Sequence, residues 1–245
     1  MAPQAAGLLD DDVVEVWLAR PGEFSDRVEL AALERLLADD ERERHRRFRR
    51  EQDRHTFLVA HALVRTVLGR YTSVEPAELR FVLEEHGRPQ LAPEHGGSVR
   101  FNLSHTDGMV ACAVTVGRSV GVDVQVVDDR VATMEVARRV FAPTELADVG
   151  ALTGADRRER FFRYWTLKEA YIKATGLGLS TPLDRFAFDL ADPISVAFAA
   201  ELDDDPRCWQ FAQSWPTDRH CLAVAVRRSG ADVALRVRDA AALTS

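Results

Sequence analysis

The sequence predicts an α+β fold made of two similar halves, and three observations lead there. Short stretches with the alternating pattern of strands are interspersed with longer stretches of helical period. The strand-like AVTVGRS at 113–119 is echoed 110 positions later by AVAVRRS at 223–229. The helical AHALVRTVLG at 60–69 is echoed 107 positions later by LKEAYIKATG at 167–176. Nearly equal offsets are what an internal duplication leaves behind. The expected halves run 1–119 and 120–245, related by a pseudo-two-fold axis, with a cleft between them in which a site can form.

The elements follow in order. VVEVWLAR (13–20) alternates as a strand, and residues 30–71 read as helices broken near Asp39 and Asp40. ELRFVLEEHGRPQL (78–91) is a strand entering a glycine turn. VRFNLSHTDGMVACAVTVG (99–117) is two strands around a polar turn, and SVGVDVQVV (119–127) is a further strand. PTELADVG (143–150) and DRRERFFRYWTLKEAYIKATG (156–176) read as helices, the second stopped by Gly176. RFAFDL, ISVAFAAEL, CWQFAQSW and HCLAVAVRR then supply short strands between 185 and 228.

Composition narrows the class. A hydrophobic content of 46% over 245 residues suffices for a packed core. A net charge of −7 argues against a general nucleic-acid or membrane binder. Cys112, Cys208 and Cys221 are odd in number and lack metal-ligand spacing, so a reducing compartment fits. The N-terminal stretch has neither a basic nor an apolar signal region, and no apolar run is long enough to span a bilayer, so the expected location is cytoplasmic.

Only two of the 32 basic residues are lysines, Lys168 and Lys173, and both lie in one helix. Arginine is a planar fork that stays protonated, whereas lysine is a compact ammonium able to give up a proton. Two lysines kept together therefore suggest a site that needs a point charge, although Glu169 and Lys173 also make an ordinary i,i+4 helix pair. The helix is apolar almost all round, so its charges must be paired, bind an ion or face a cleft. On the strand 120–126, Gly121, Asp123 and Gln125 share one face. Oxygens so placed can serve a hard cation together with Glu169, and an exposed polar face explains them equally well. Ser104 and His105 end a strand where hydroxyl, imidazole and backbone amides can meet an anion. ERERHRRFRREQDR (41–54) carries arginines whose forks suit phosphate, or a solvated face of Glu/Arg pairs.

Taken in order, HGRP, FNLSHTDG, GVDVQ, FAPTE and WTLKEAYIKATGLGLSTPLDRFAF resemble the motifs of 4′-phosphopantetheinyl transferases of the surfactin-synthetase (Sfp) type. The resemblance implies a pseudo-dimeric α+β fold with the site between the halves. The first half would bind the phosphates of coenzyme A, and the second would hold the metal and the catalytic residues. The implied reaction moves the 4′-phosphopantetheine arm of coenzyme A onto a serine of an apo acyl or peptidyl carrier protein. Magnesium, or manganese in its place, assists, and adenosine 3′,5′-bisphosphate leaves. Position by position, Asp123 and Glu169 become metal ligands, with Gln125 a weak or water-mediated third. Lys168 and Lys173 fall where the family contacts coenzyme A phosphates, and Lys173 is the candidate to stabilise or protonate the leaving phosphate. Ser104, His105 and Arg88 would hold nucleotide phosphates, and Arg47, Arg50 or Arg54 the 3′-phosphate. Glu145 lies at a further carboxylate position near the metal. Glu169 is the candidate base, and Asp123, Glu169 and Lys173 form the expected catalytic set. An active monomer serving polyketide or nonribosomal peptide carriers is expected, with an apolar, partly basic docking surface near FAPTE.

Two departures from the family pattern stand out. Gln125 replaces a carboxylate, and Arg88 replaces a lysine. Two other functions share these groups: a magnesium-dependent hydrolase of nucleotide-cofactor pyrophosphates, and a carrier-binding module without catalysis.

Overall fold

The computed structural model describes residues 9–95, 97–178 and 181–243. The chain forms two units, residues 1–117 with 234–245, and residues 118–233.

The first unit opens with strand β1 (Val13–Ala19), whose seven residues are all buried. Helix α1 (Arg27–Leu36) follows, started by the Asp26 carboxylate accepting from the Val28 and Glu29 amides at 2.8 and 3.2 Å. Helices α2 (Asp39–Arg47) and α3 (Glu51–Thr72) come next, then a hairpin of β2 (Phe81–Leu83) and β3 (Pro89–Leu91). A longer antiparallel pair, β4 (Val99–Thr106) and β5 (Met109–Val116), turns at Gly108, whose φ of +78° is open to glycine. The core lies between α3 and the sheet, where Leu63, Val67 and Leu68 meet Trp17, Phe101, Val110 and Val114.

The second unit repeats this order. Strand β6 (Val120–Val126) leads to α4 (Met134–Val140), α5 (Pro143–Gly150) and α6 (Gly154–Thr175). A hairpin of β7 (Phe186–Asp189) and β8 (Ser195–Phe198) follows, then an antiparallel pair, β9 (Trp209–Thr217) and β10 (His220–Arg227). Helices α3 and α6 are both 22 residues long. Helix α6 stops where the sequence predicts, at Gly176 with φ +72°, whose amide donates to the Ile172 carbonyl at 3.0 Å. Strand order is β1-β5-β4 in the first sheet and β6-β10-β9 in the second, so the two similar halves expected from the sequence are present. The second core is richer in aromatics: Phe141, Phe161, Phe162, Tyr171, Phe186 and Phe211 pack around α6.

One strand falls outside the repeat. Strand β11 (Ala234–Asp239), within the stretch the sequence reading gives to the C-terminal half, pairs in parallel with β1 in the first unit's sheet. Its side chains are mostly exposed; Leu235 and Val237 do alternate with Arg236 and Arg238, a short period-two signal that the sequence reading, which ended its strands at 228, did not use.

A polar clamp is built into both units in the same way. The Glu41 carboxylate accepts from the Ala38 amide at 2.9 Å, closing the start of α2, and pairs with Arg65 of α3 at 2.6 Å. Arg65 also donates to the carbonyls of Pro76 and Leu79 at 2.9 and 3.0 Å, and lies over the Phe81 ring. In the second unit Glu145 accepts from the Ala142 amide at 2.8 Å, closing the start of α5, and pairs with Lys168 of α6 at 2.8 Å. Lys168 donates to the carbonyls of Leu183 and Phe186 at 2.7 and 2.6 Å, and lies over the Phe186 ring. Each clamp ties the short helix, the long helix and the approach to the small hairpin together through one buried cation.

Candidate active site

In the second unit the sheet and the long helix touch unusually closely. A Cβ on Gly121 would lie 2.0 Å from the Ala170 carbonyl oxygen and 2.5 Å from the Ala174 amide nitrogen, so only glycine lets β6 and α6 approach this far. Two residues along β6, Asp123 points back to the same helix and is 1% exposed. Its carboxylate accepts from the Lys173 ammonium at 2.6 Å, and Lys173 also reaches the Val122 carbonyl at 3.3 Å. The Gln125 amide donates to Asp123 at 3.2 Å.

Glu169, one turn before Lys173, is half-buried in the same neighbourhood. Burial raises its pKa, the negative charge of Asp123 raises it further, and Lys173 opposes the shift. Two carboxylates, an amide oxygen and one ammonium thus share a confined place. Among the described residues no group of three or more His, Cys, Asp or Glu side chains forms a metal cluster. Asp123 and Glu169 still fit magnesium, a cation that takes one or two protein carboxylates and completes its shell with water and substrate phosphate. Gln125 can offer only a neutral oxygen, and its amide nitrogen faces Asp123 here.

Lys168 and Glu145 belong elsewhere. The expectation that Lys168 meets a coenzyme A phosphate is corrected by its surroundings. It is 1% exposed, and its three N–H donors are taken by Glu145, Leu183 and Phe186. Burial pushes the Lys168 pKa down and that of Glu145 up. The Glu145 carboxylate is filled as well, accepting from Lys168, Ala142 and the Phe188 amide at 2.9 Å, so it is not a ligand near a metal. Within the FAPTE stretch, the Phe141 ring is 3% exposed and packs edge-on against Phe161 and Tyr164, so that side chain is core and not docking surface.

The first unit carries the anion candidates. A cavity of about 460 Å³ is bounded by the end of α2, the start of α3 and the β4–β5 turn, and Arg44 and His105 both line it. Ser104 is buried beside His105 in the strand, where successive side chains take opposite faces, and does not line this cavity. Arg47 pairs with Glu43, and neither it nor Arg50 nor Arg54 lines the cavity. Sequence reasoning missed Arg44, which sits among seven arginines between 42 and 54 with nothing local to separate it. Arg88 binds Glu84 in a fork, 2.5 Å from Nε and 3.1 Å from the terminal nitrogen, and Glu84 also accepts from Gln90.

Comparison with known proteins gives the family. Residues 119–225 match the 4′-phosphopantetheinyl transferase superfamily, and residues 25–117 match the 4′-phosphopantetheinyl transferase N-terminal family. A phosphopantetheinyl transferase of Thraustochytrium sp. is 36% identical over 234 residues, covering 89% of this chain and 80% of that protein. The 4′-phosphopantetheinyl transferase HetI of Nostoc sp. is 33% identical over 204 residues, covering 82% of this chain and 83% of its own. The 4′-phosphopantetheinyl transferase Sfp of Bacillus subtilis is 33% identical over 158 residues, covering 63% and 67%. With its two family segments spanning both halves and relatives matched over most of their length, this chain belongs to the 4′-phosphopantetheinyl transferase family.

Proposed function

We propose that this protein transfers the 4′-phosphopantetheine arm of coenzyme A to a serine of an apo acyl or peptidyl carrier domain, with Asp123, Glu169 and Lys173 as its catalytic group. The observation that carries the assignment of residues is the meeting of these three side chains where Gly121 brings strand and helix together. The serine oxygen bonds to the β-phosphorus, the bridging P–O bond breaks, and adenosine 3′,5′-bisphosphate departs with the electron pair. Glu169 takes the serine proton, a role that its raised pKa favours by making it the stronger base. Lys173 supplies a compact positive charge for the oxygens of the departing phosphate, and its contact with Asp123 fixes where that charge sits. Asp123 and Glu169 would hold a magnesium ion, which when bound neutralises pyrophosphate charge. Arg44 and His105 are the residues we assign to the nucleotide end, in the first unit's cavity.

The hydrolase and binding-module alternatives find no support among relatives that are named as transferases. The test is intact-mass measurement of a panel of apo carrier domains incubated with the protein, coenzyme A and magnesium. A phosphopantetheine mass gain that is lost in Glu169→Ala and Lys173→Ala supports the reading. No gain on any carrier, or hydrolysis of coenzyme A in its place, overturns it.

A further inference from the structure

Helix α6 carries a cation that the reaction above does not use. Arg158 and Arg160 close on carboxylates, Asp129 at 2.6 Å and Asp148. Arg163 does not. Its Nε donates to the Gln213 side-chain carbonyl at 2.9 Å, and Gln213 is held in turn by donating to the Arg163 carbonyl at 2.8 Å and the Thr166 hydroxyl at 3.1 Å. Among the described residues the two terminal nitrogens of Arg163 have no partner, and Glu159, one turn earlier and exposed, makes no ion pair with it. A neutral amide fixes the direction of the guanidinium without neutralising it, and the terminal pair is left as a fork for an anion.

Strand register places this cation near the catalytic group. Ala223 pairs with Asp123 on one side and with Gln213 on the other, so those two stand in one row, two strand spacings or about 10 Å apart. Arg163 precedes Glu169 by six residues, about 9 Å of helix axis. On the transferase reading coenzyme A brings no charge there. Its pyrophosphate goes to Asp123, Glu169 and Lys173, its nucleotide end to the first unit's cavity, and its pantetheine arm is uncharged. Two residues beyond Gln213 on β9, Trp215 is 38% exposed. A tethered arginine and an exposed tryptophan so close along the fold have the composition of a protein contact, because these two residue types carry much of the binding energy at interfaces.

Resting on the transferase reading above, we infer that Arg163, oriented by Gln213, selects the carrier by binding one of its carboxylates about 10 Å from the target serine, with Trp215 as the apolar part of the same contact.

The experiment measures steady-state transfer to a panel of apo carrier domains, with KM determined separately for carrier and coenzyme A and Tm recorded alongside. Arg163→Met keeps the stem of the side chain and removes the fork. Carrier KM should rise about tenfold, and coenzyme A KM should stay within about twofold of the parent value. Arg163→Lys, which keeps the charge without the fork, should fall between the two and reads the same contact if the methionine variant does not fold. Added salt should raise carrier KM more steeply in the parent than in Arg163→Met. Trp215→Ala should raise carrier KM and leave its salt response unchanged. On the carrier modified fastest, each carboxylate is then replaced by its amide. One near the serine should cost about tenfold in kcat/KM with the parent enzyme and nothing further with Arg163→Met. A carrier KM unmoved by Arg163→Met, a rise in coenzyme A KM in its place, or the lack of any carrier carboxylate whose effect disappears in that variant overturns the inference and leaves the transferase reading intact. No transfer to any carrier by the parent protein overturns both.

Discussion

Replacing Lys168 with methionine separates a clamp from a phosphate contact. The change keeps the bulk and removes the ammonium. It leaves the Glu145 carboxylate, 1% exposed, without its counter-charge and strips the Leu183 and Phe186 carbonyls of a donor. Removing one partner of a buried ion pair costs about 3–5 kcal/mol, which for a protein of this size lowers Tm by roughly 6–20 °C. Pairing it with Glu145→Gln removes both charges, so the double variant should lose less than the two single losses added together. The KM for coenzyme A, measured below the melting range, should stay within about twofold of the parent value, since no interaction with the substrate is removed. Calorimetric melting and steady-state transfer assays give both numbers. An unchanged Tm with a KM raised tenfold or more would refute the clamp and restore Lys168 to the phosphate site.

Other changes should act as follows. Gly121→Ala forces a Cβ to within 2.0 Å of the Ala170 carbonyl oxygen, so β6 and α6 must separate by about 1 Å; transfer should fall by roughly a hundredfold, beyond what any loss of Tm explains. A variant that folds and transfers at the parent rate would show that the strand and helix can part harmlessly. At Glu41 burial works against ionisation, but hydrogen bonds from His61, Arg65 and the Ala38 amide overcome it and hold the carboxyl down at about 2. Its contribution is therefore complete above the unfolded pKa near 4.5 and is lost as pH falls from there towards 2. Glu41→Gln should flatten that part of the stability–pH curve, removing about 2–3 kcal/mol of the dependence seen in denaturant titrations. Phe141→Ala should destabilise by about 3–5 kcal/mol with carrier KM little changed, whereas a docking residue would show the reverse.

Much of the architecture was legible because its signals are local. Period-two alternation marked β1, β4, β5, β6 and β10, and Gly176 marked the end of α6. The boundary between α2 and α3 at residues 48–50 was harder, since a polar Arg-rich run carries no apolar periodicity to interrupt. The grouping of Asp123 with Glu169 and Lys173 was readable from motif resemblance. The fate of Lys168 was not. Lys168 and Lys173 differ by five positions, well over a full helical turn, and only tertiary packing shows that one meets Glu145 and the other Asp123. Arg44 escaped for a related reason: which arginine of a run reaches a cavity depends on how α2 meets α3, and residue spacing does not encode that.

The duplicated clamp lets each half serve as the other's control. Arg65 and Lys168 do the same work, so Lys168→Arg asks the second half to use a solution the first already uses, with the extra bulk as its main difficulty. The clamps and the helix bounds align α3 with α6 at an offset of 103, about one turn from the 107 read off the sequence echo; on that alignment Glu169 falls opposite Thr66 and Lys173 opposite Arg70, and along the first strands Asp123 falls opposite Val16. The positions shared by the copies are those that hold a helix to its neighbours. Of the positions assigned to the reaction, the two carboxylates Asp123 and Glu169 have no acidic counterpart in the first copy, whereas Lys173 is matched by another cation, Arg70. Aligning the molecule with itself thus separates the shared scaffold from the carboxylates of the second copy, while the cation pair Arg70 and Lys173 is kept in both.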